Sequence, residues 1–237
     1  MNPWIRIAHR GASGIAPENT IAAFKKAIEI GVDAVELDLQ GTADGEVVVI
    51  HDASLDRTTD QSGQIKDSSL ETIKQADAGT WFDTKFAGES VPTLAEALVA
   101  IADNAIALLE IKDVSVTESV VRIVQKMDMV EQSVIISFNS SAIQTVRSLE
   151  PRLPTGYIIG SKENIQPIQL CQQLGLLGSN LLNVDHRLVT EDFIYEIRRR
   201  GITLWCWTVD DMDRMRELQE FGIQGITSNR PEYFSQV

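Results

Sequence analysis

The sequence has few cysteines and comparatively few basic residues. It contains two cysteines, Cys171 and Cys206, and no Cys-x-x-Cys pair, so it cannot form a disulfide framework and a reducing compartment is indicated. There are 21 Lys and Arg residues against 34 Asp and Glu residues, which gives a net charge of −13. Nucleic acids and anionic membranes both attract basic surfaces, so this charge argues against either as a partner.

Long hydrophobic runs are also missing. The longest apolar stretches fall well short of the ~18–20 residues that a membrane-spanning helix needs. The N-terminal stretch from Met1 to Ala8 has neither a basic region nor a small-residue cleavage site, so it does not look like a targeting segment. We therefore expect a soluble cytoplasmic protein with no stable membrane anchor. The sequence leaves the oligomeric state undefined.

The 237 residues have an ordinary globular composition, in which short β-branched runs alternate with amphipathic helical patterns. The predicted strands begin near Ile5, Asp33, Ile106, Ser133, Thr155, Asn180, Ile202 and Gln224. Eight strands alternating with helices predict an α/β fold, a closed TIM (β/α)8 barrel, with an open doubly wound sheet as the alternative.

Most predicted strands start roughly 25 residues apart, as expected for one strand and one helix per repeat. The interval after the second strand is longer by about 45 residues. The excess, about residues 45–91, is predicted to be a small insertion within a single domain spanning residues 1–237. In a barrel, a segment that follows a strand lies over the C-terminal rim, where active sites are found.

Several helix starts can be predicted from local signals. Thr93 and Ser115 each begin a pattern typical of a capping box, with a Glu three residues later. Asn139 and Thr190 precede amphipathic stretches and are candidate N-caps. Pro167 fits the first turn of a further helix.

Acidic residues lie near the ends of two of the predicted strands. Glu36 and Asp38 are separated by one residue, so on a strand they face the same side. Glu110 and Lys112 repeat this spacing on the next barrel strand. Three carboxylates at one rim could share a hard divalent cation, and all-carboxylate ligation favours Mg²⁺ or Ca²⁺ over Zn²⁺. The alternatives are a pair of solvated carboxylates and a surface salt bridge between Glu110 and Lys112.

Two of the three histidines lie close to these carboxylates. His9 ends the first predicted strand, and His51 follows a β-branched run shortly after the carboxylate pair. His186 has no comparable cluster. Two imidazoles beside a carboxylate cluster indicate general acid–base chemistry. With Arg10 and Lys112 as cations for an anionic ligand, the set suits hydrolysis of a phosphate ester.

The ordered motifs resemble the glycerophosphodiester phosphodiesterase family. The resemblance spans nearly the whole chain and is carried by His9-Arg10-Gly11, Pro17-Glu18-Asn19-Thr20, Ala23-Phe24, Gly31-Val32-Asp33, Glu36-Leu37-Asp38, Thr42, Asp44-Gly45, His51-Asp52, Leu55-Asp56-Arg57-Thr58-Thr59, Gly63, Val91-Pro92-Thr93-Leu94, Glu110-Ile111-Lys112, Ser137-Phe138 and Trp207-Thr208-Val209. Each tripeptide alone is weakly specific, whereas the ordered set is highly specific.

The resemblance implies a TIM barrel that hydrolyses glycerophosphodiesters, small-molecule substrates, to sn-glycerol 3-phosphate and an alcohol with bound Mg²⁺ or Ca²⁺. It implies the following roles: Glu36, Asp38 and Glu110 as metal ligands, His9 and His51 as the acid–base pair, Arg10 and Lys112 as phosphate contacts, and Trp207 near the glycerol moiety. One departure is that Ser228 lies where many members carry an Asp before the C-terminal proline.

Three alternatives remain open at this stage. The same barrel could be a metal-dependent aldolase or isomerase, or a non-catalytic binder of glycerophosphodiesters. It could also have a lysophospholipase D type of activity, because the rim loops determine the leaving group. Within the phosphodiesterase hypothesis, the nucleophile is either water or the glycerol 2-hydroxyl.

Overall fold

The computed structural model of this chain describes residues 4–161 and 166–237. Residues 1–3, the beginning of the N-terminal apolar stretch, therefore lie outside the described residues. Within these ranges the strands are β1 (Ile5–Ala8), β2 (Ala34–Gly41), β3 (Val47–Val49), β4 (Ile106–Ile111), β5 (Ser133–Ser137), β6 (Thr155–Ile159), β7 (Leu181–Asp185), β8 (Thr203–Trp207) and β9 (Gly225–Ser228).

Eight of these strands form a closed parallel barrel. The sheet runs β1-β9-β8-β7-β6-β5-β4-β2, and pairing of β1 with β2 closes it. The prediction of a TIM barrel is therefore confirmed, and the open sheet is excluded. The eight barrel strands begin at the predicted positions or one residue later.

The strand β3 is the additional one. It pairs antiparallel with the end of β2, where Leu39 faces Val49. The segment between β2 and β4 also has its own small apolar cluster, formed by Val48, Ile50, Leu55, Ile65, Ile73, Ala76, Ala78 and Val91. Because β3 pairs with the C-terminal end of β2, this segment is attached at the C-terminal rim of the barrel.

The α-helices of the described chain are α1 (Ile21–Ile30), α2 (Leu70–Ile73), α3 (Leu94–Ile101), α4 (Thr117–Lys126), α5 (Ser140–Leu149), α6 (Pro167–Leu177), α7 (Glu191–Arg198) and α8 (Met212–Glu220). No helix among the described residues is long and apolar enough to cross a membrane.

Most predicted helix starts are confirmed. Thr93 and Glu96 form a complete capping box, and Asn139 and Thr190 accept hydrogen bonds from the first turns of α5 and α7. The prediction at Ser115 was wrong. Ser115 lies within a 3₁₀ turn, because the carboxylate of Asp113 accepts its backbone N–H, and α4 begins two residues later without a side-chain cap.

Side chains alternate between the two faces of the barrel strands. Residues such as Val35 and Leu37 pack outward against the helices, whereas Ala34 and Leu108 belong to a cluster that fills the barrel interior. Two residues further along, the interior positions change from apolar to charged. The apolar cluster therefore forms a floor beneath the polar C-terminal end of the barrel.

Candidate active site

Three carboxylates meet at this end of the barrel. Asp38 on β2 is in register with Glu110 on β4, and Glu36 is in register with Leu108. Each carboxylate offers one oxygen that lies within 4.8 Å of those of the other two. All three side chains are buried, and Asp38 is fully inaccessible to solvent. The strand register therefore produces the cluster that the sequence predicted.

Burial and mutual repulsion perturb the titration of these acids. Burial, followed by the charge of Asp38, raises the pKa of Glu110 to about 7. The same two causes, with the charge of Glu110, raise the pKa of Glu36 well above its usual value. Burial opposes ionisation of Asp38 as well, but the charges of Lys112 and Arg10 outweigh it and lower the pKa of Asp38. Without a bound ion, the neighbouring cationic side chains therefore do not supply enough positive charge to keep all three carboxylates fully ionised.

The oxygen atoms of this cluster fit a hard divalent cation. Oε1 of Glu36 is buried and has no hydrogen-bond partner among residues 4–161 and 166–237. Oε1 of Glu110 and Oδ1 of Asp38 share the ammonium of Lys112, at 2.6 and 3.2 Å. Three buried carboxylates without histidine or cysteine ligands are the donor set that Mg²⁺ or Ca²⁺ prefers. The Glu110–Lys112 contact lies inside this site and is not a surface salt bridge.

The loop after β1 brings Arg10 onto the same cluster. Arg10 has a left-handed backbone, with φ of 56°, an unusual conformation for a residue with a side chain. Its N–H donates to Oε2 of Glu36 at 2.9 Å, and its Nε lies 3.1 Å from Oδ2 of Asp38. The next residue, Gly11, has φ of 80°, and a Cβ there would lie 2.7 Å from Ala23. This close approach requires glycine.

His9 lies beside the carboxylates, and its ring nitrogen Nδ1 is hydrogen-bonded to Asn229. Its Nδ1 is 2.6 Å from Oδ1 of Asn229, and its Nε2 is 3.9 Å from Oε2 of Glu36. Burial, followed by the charge of Arg10, lowers the pKa of His9 to about 4. His9 is therefore neutral at pH 7 and can accept a proton.

His51 reaches the site from the segment that follows β3. Its Nδ1 lies 2.6 Å from Oδ1 of Asp52, and Oδ2 of Asp52 accepts from Arg57 at 2.7 Å. Arg57 also donates twice to Glu18, which in turn accepts from Arg10 at 2.8 Å. This chain of ion pairs connects the segment carrying His51 to the end of β1.

One cavity of about 260 Å³ connects these groups. Its polar side is lined by His9, Arg10, Glu36, His51, Glu110 and Lys112. Its other side is apolar, and there Phe138 and Trp207 form an edge-to-face pair with ring centroids 5.7 Å apart. The cavity therefore offers charged groups for an anion next to an apolar wall for a carbon skeleton.

The predicted site residues thus come together at one end of the barrel. All of them line the cavity except Asp38, which is fully buried. Trp207 is at the end of β8. His186 follows β7 and does not line the cavity, in agreement with its lack of a cluster in the sequence.

Four further polar residues of the site had no predicted role. Glu18 and Arg57 connect the segment carrying His51 to Arg10, and Asn19 donates to Oδ2 of Asp38 at 2.9 Å. Asn229 contacts His9 across 220 residues of sequence. Glu18, Asn19 and Arg57 lie in motifs that carry the family resemblance, which was the available signal for them.

Comparisons with known proteins agree with this geometry. The sequence profile described as the glycerophosphoryl diester phosphodiesterase family matches residues 9–233. A putative glycerophosphodiester phosphodiesterase of Bacillus subtilis is 36% identical over 232 residues, covering 96% of this chain and 95% of that protein. A glycerophosphodiester phosphodiesterase of Caldanaerobacter subterraneus is also 36% identical, with 95% and 94% covered.

Solved structures show the same relationship. A phosphodiesterase from Oleispira antarctica, in complex with its product sn-glycerol-3-phosphate, superposes with a TM-score of 0.89 at 28% identity, covering 97% of this chain and 94% of that one. A glycerophosphodiester phosphodiesterase from Agrobacterium tumefaciens gives 0.86 at 30% identity, with 98% of each chain covered. The chain therefore belongs to the glycerophosphoryl diester phosphodiesterase family and is a phosphoric diester hydrolase.

Proposed function

We propose that this enzyme hydrolyses glycerophosphodiesters to sn-glycerol 3-phosphate and an alcohol, using two histidines and one carboxylate-bound divalent cation. The observation that carries the proposal is that His9, His51 and two of the clustered carboxylates line one cavity of about 260 Å³. The product bound to the Oleispira antarctica relative supports the choice of substrate class.

Glu36, Asp38 and Glu110 would hold the cation, Mg²⁺ or Ca²⁺. When bound, the cation supplies positive charge that stabilises the negative charge developing on the phosphoryl oxygens. Two observations support this assignment: one oxygen of Glu36 has no hydrogen-bond partner among the residues that the structure describes, and the pKa of Glu110 is raised. A single ion is proposed because the chain brings three carboxylates together here.

Arg10 and Lys112 bind the phosphate group. Both cations line the cavity, and both contact the carboxylates, at 3.1 Å from Asp38 for Arg10 and 2.6 Å from Glu110 for Lys112. Positive groups fixed in this way lie ready for a phosphoryl group without having to reorganise during the reaction. Trp207 and the neighbouring apolar wall hold the glycerol carbons.

The two histidines move the protons. Nε2 of His9 takes a proton from the nucleophile as its oxygen bonds to phosphorus, and His51 gives a proton to the alcohol oxygen as the P–O bond breaks. The nucleophile is water or the glycerol 2-hydroxyl, and the second route passes through a cyclic phosphate. Hydrolysis in ¹⁸O-labelled water, with analysis for a cyclic product, distinguishes these routes.

The direct test is an assay of glycerol 3-phosphate released from glycerophosphocholine with Mg²⁺ or Ca²⁺. We expect release by the wild-type enzyme and a rate on the order of 10²–10⁴-fold lower for His51→Ala, with unchanged circular dichroism. His186→Ala is the matched control, because His186 does not line the cavity. Binding of the substrate without product would indicate a binding protein, and turnover of a phosphorylated sugar alone would indicate an aldolase or isomerase.

A further inference from the structure

An asparagine and an aspartate from two different loops lie behind His9. Asn229 follows β9, and its Oδ1 is 2.6 Å from Nδ1 of His9. Asp210 follows β8, and its Oδ2 accepts from Nδ2 of Asn229 at 2.7 Å. The three side chains form a series that begins with an exposed carboxylate and ends at the cavity.

The amide of Asn229 can in principle face His9 with either of its two ends. A carboxylate only accepts hydrogen bonds at neutral pH, so Asp210 requires the NH₂ end of the amide. Ser13 does not determine this choice, because its single hydroxyl proton has two acceptors within reach, the carbonyl of His9 at 2.7 Å and Oδ1 of Asn229 at 2.9 Å. Asp210 is therefore the group that fixes the amide.

Asp210 itself is held in place by the last residue of β9 and the residue that follows it. Its Oδ1 accepts from the N–H of Asn229 at 2.8 Å and from Oγ of Ser228 at 2.9 Å. These contacts leave Oδ2 directed at the side chain of Asn229. Oδ1 of Asp210 thus accepts from residues 228 and 229, and Oδ2 accepts from the side-chain amide that Asp210 orients.

We infer that Asp210 is a positioning residue that acts through Asn229 so that Nδ1 of His9 donates its proton to Oδ1 of Asn229. With Oδ1 of Asn229 facing the ring, Nδ1 must donate, and the lone pair is then on Nε2, the nitrogen closer to Glu36. This inference rests on the proposed role of His9 as the base. The inference adds the carboxylate of Asp210 behind the base, a group that the motif pattern did not indicate.

A swap of the two side chains tests this arrangement. In Asp210→Asn, two NH₂ groups face each other, so the amide of Asn229 turns over and its NH₂ group then faces His9. In Asn229→Asp, two carboxylates face each other at the position of the present 2.7 Å contact. In the double variant, the amide introduced at position 210 donates its NH₂ group to the carboxylate introduced at position 229, and the oxygen of that amide still accepts from the loop.

The measurements are the kinetics of glycerophosphocholine hydrolysis and the ring ¹⁵N shifts of His9. The chain has three histidines, so a His9→Gln spectrum assigns the signal. We expect kcat to fall roughly 10–100-fold in each single variant with KM within about 3-fold, and the double variant to recover to within a few-fold of wild type. The proton of His9 should be on Nδ1 in wild type and on Nε2 in Asp210→Asn.

Asp213→Asn is the control, because Asp213 is exposed and, within the described part of the chain, bonds only to Arg216; it should change neither measurement. Normal kcat in Asp210→Asn, an unchanged tautomer, or a double variant no better than the single ones would each overturn the inference. If the wild-type enzyme does not hydrolyse the substrate, the proposed function fails, and the tautomer of His9 still decides whether Asp210 positions it.

Discussion

Nδ1 of His51 lies 2.6 Å from Oδ1 of Asp52, which leaves Nε2 as the ring nitrogen free to act on substrate. Hydrogen bonds from Arg57, and burial to a smaller and opposing degree, set the pKa of Asp52, which is lowered to about 2. The carboxylate therefore stays charged over the range in which the enzyme can be assayed, and it can accept Nδ1–H of the imidazolium that the proposed role of His51 as the acid requires.

We expect Asp52→Asn to lower kcat about 10–100-fold with a smaller effect on KM, because a neutral amide stabilises the imidazolium that donates from Nε2 less than a carboxylate does. Steady-state kinetics on glycerophosphocholine measure both parameters. The matched control is Asp56→Asn in the same segment, where the side chain is exposed. Equal activity of the two variants would mean that Asp52 does not orient His51.

Protons and metal ions compete for Glu110. A carboxylate must lose its proton to bind a cation, and burial, with the charge of Asp38, raises the pKa of Glu110 to about 7. The apparent affinity for Mg²⁺ or Ca²⁺ should therefore rise about tenfold per pH unit below pH 7 for each proton displaced. Calorimetric titrations at several pH values, in buffers of different ionisation enthalpy, measure the affinity and the proton release.

The same shift predicts how the metal-free fold responds to pH. Because the pKa of Glu110 is raised in the folded state, the folded protein holds a proton that the unfolded chain releases near pH 4–5. This carboxyl group therefore lowers the stability of the metal-free protein as the pH rises from about 4.5 through 7. Glu110→Gln should reduce that dependence and weaken metal binding. If its pH profile of urea unfolding matches that of wild type, Glu110 is not the titrating group.

The glycine after Arg10 allows a test of the loop that carries two site residues. Gly11 and Gly45 both have φ near 80°. A Cβ at Gly11 would meet the backbone of Ala23 at 2.7 Å, whereas a Cβ at Gly45 would have no atom of the described chain within 4 Å. Gly45→Ala should therefore cost only the left-handed conformation, about 1–2 kcal/mol. Gly11→Ala should cost about 2–5 kcal/mol, because overpacking is added.

Urea unfolding of both variants measures this difference. Gly11→Ala should also lower kcat, because the N–H of Arg10 binds Glu36, and a displaced loop weakens that contact. Gly45→Ala should leave kcat unchanged. If the two alanine variants are equally stable, Ala23 does not restrict the loop.

The barrel was predictable from the sequence because its signals are local. The apolar run that ends at Glu110 fixes β4, and a parallel neighbour with the same spacing brings Asp38 into register with it. The contact of Asn229 with His9 could not be predicted in the same way. The two residues directly follow the first and last strands, and their proximity follows from closure of the barrel, on which neither local sequence gives information.

Competition between local signals explains the one wrong helix start. Ser115 has the spacing of a capping box, but Asp113, two residues earlier, accepts the N–H of Ser115 at 2.9 Å and sets up a tighter turn. The sequence pattern alone does not show whether Asp113 or Ser115 will act as the cap. By contrast, Thr93 has no such competitor, and its capping box forms as predicted.

The apolar wall of the cavity should contribute to substrate binding more than to the chemical step. Trp207 packs edge-to-face against Phe138 with centroids 5.7 Å apart, and its Nε1 donates to the carbonyl of Asn183 at 3.4 Å. Trp207→Ala removes an apolar surface that the glycerol carbons would cover, and the loss of about 1–2 kcal/mol of binding corresponds to a roughly 5–30-fold rise in KM.

Trp207→Phe keeps an aromatic ring at this position but loses the hydrogen bond to Asn183 and part of the apolar surface, so its KM should rise less than that of Trp207→Ala. Measuring kcat and KM for both variants with glycerophosphocholine separates binding from chemistry. A fall in kcat of Trp207→Ala with unchanged KM would contradict this role, because the indole would then act on the transition state and not on the bound glycerol.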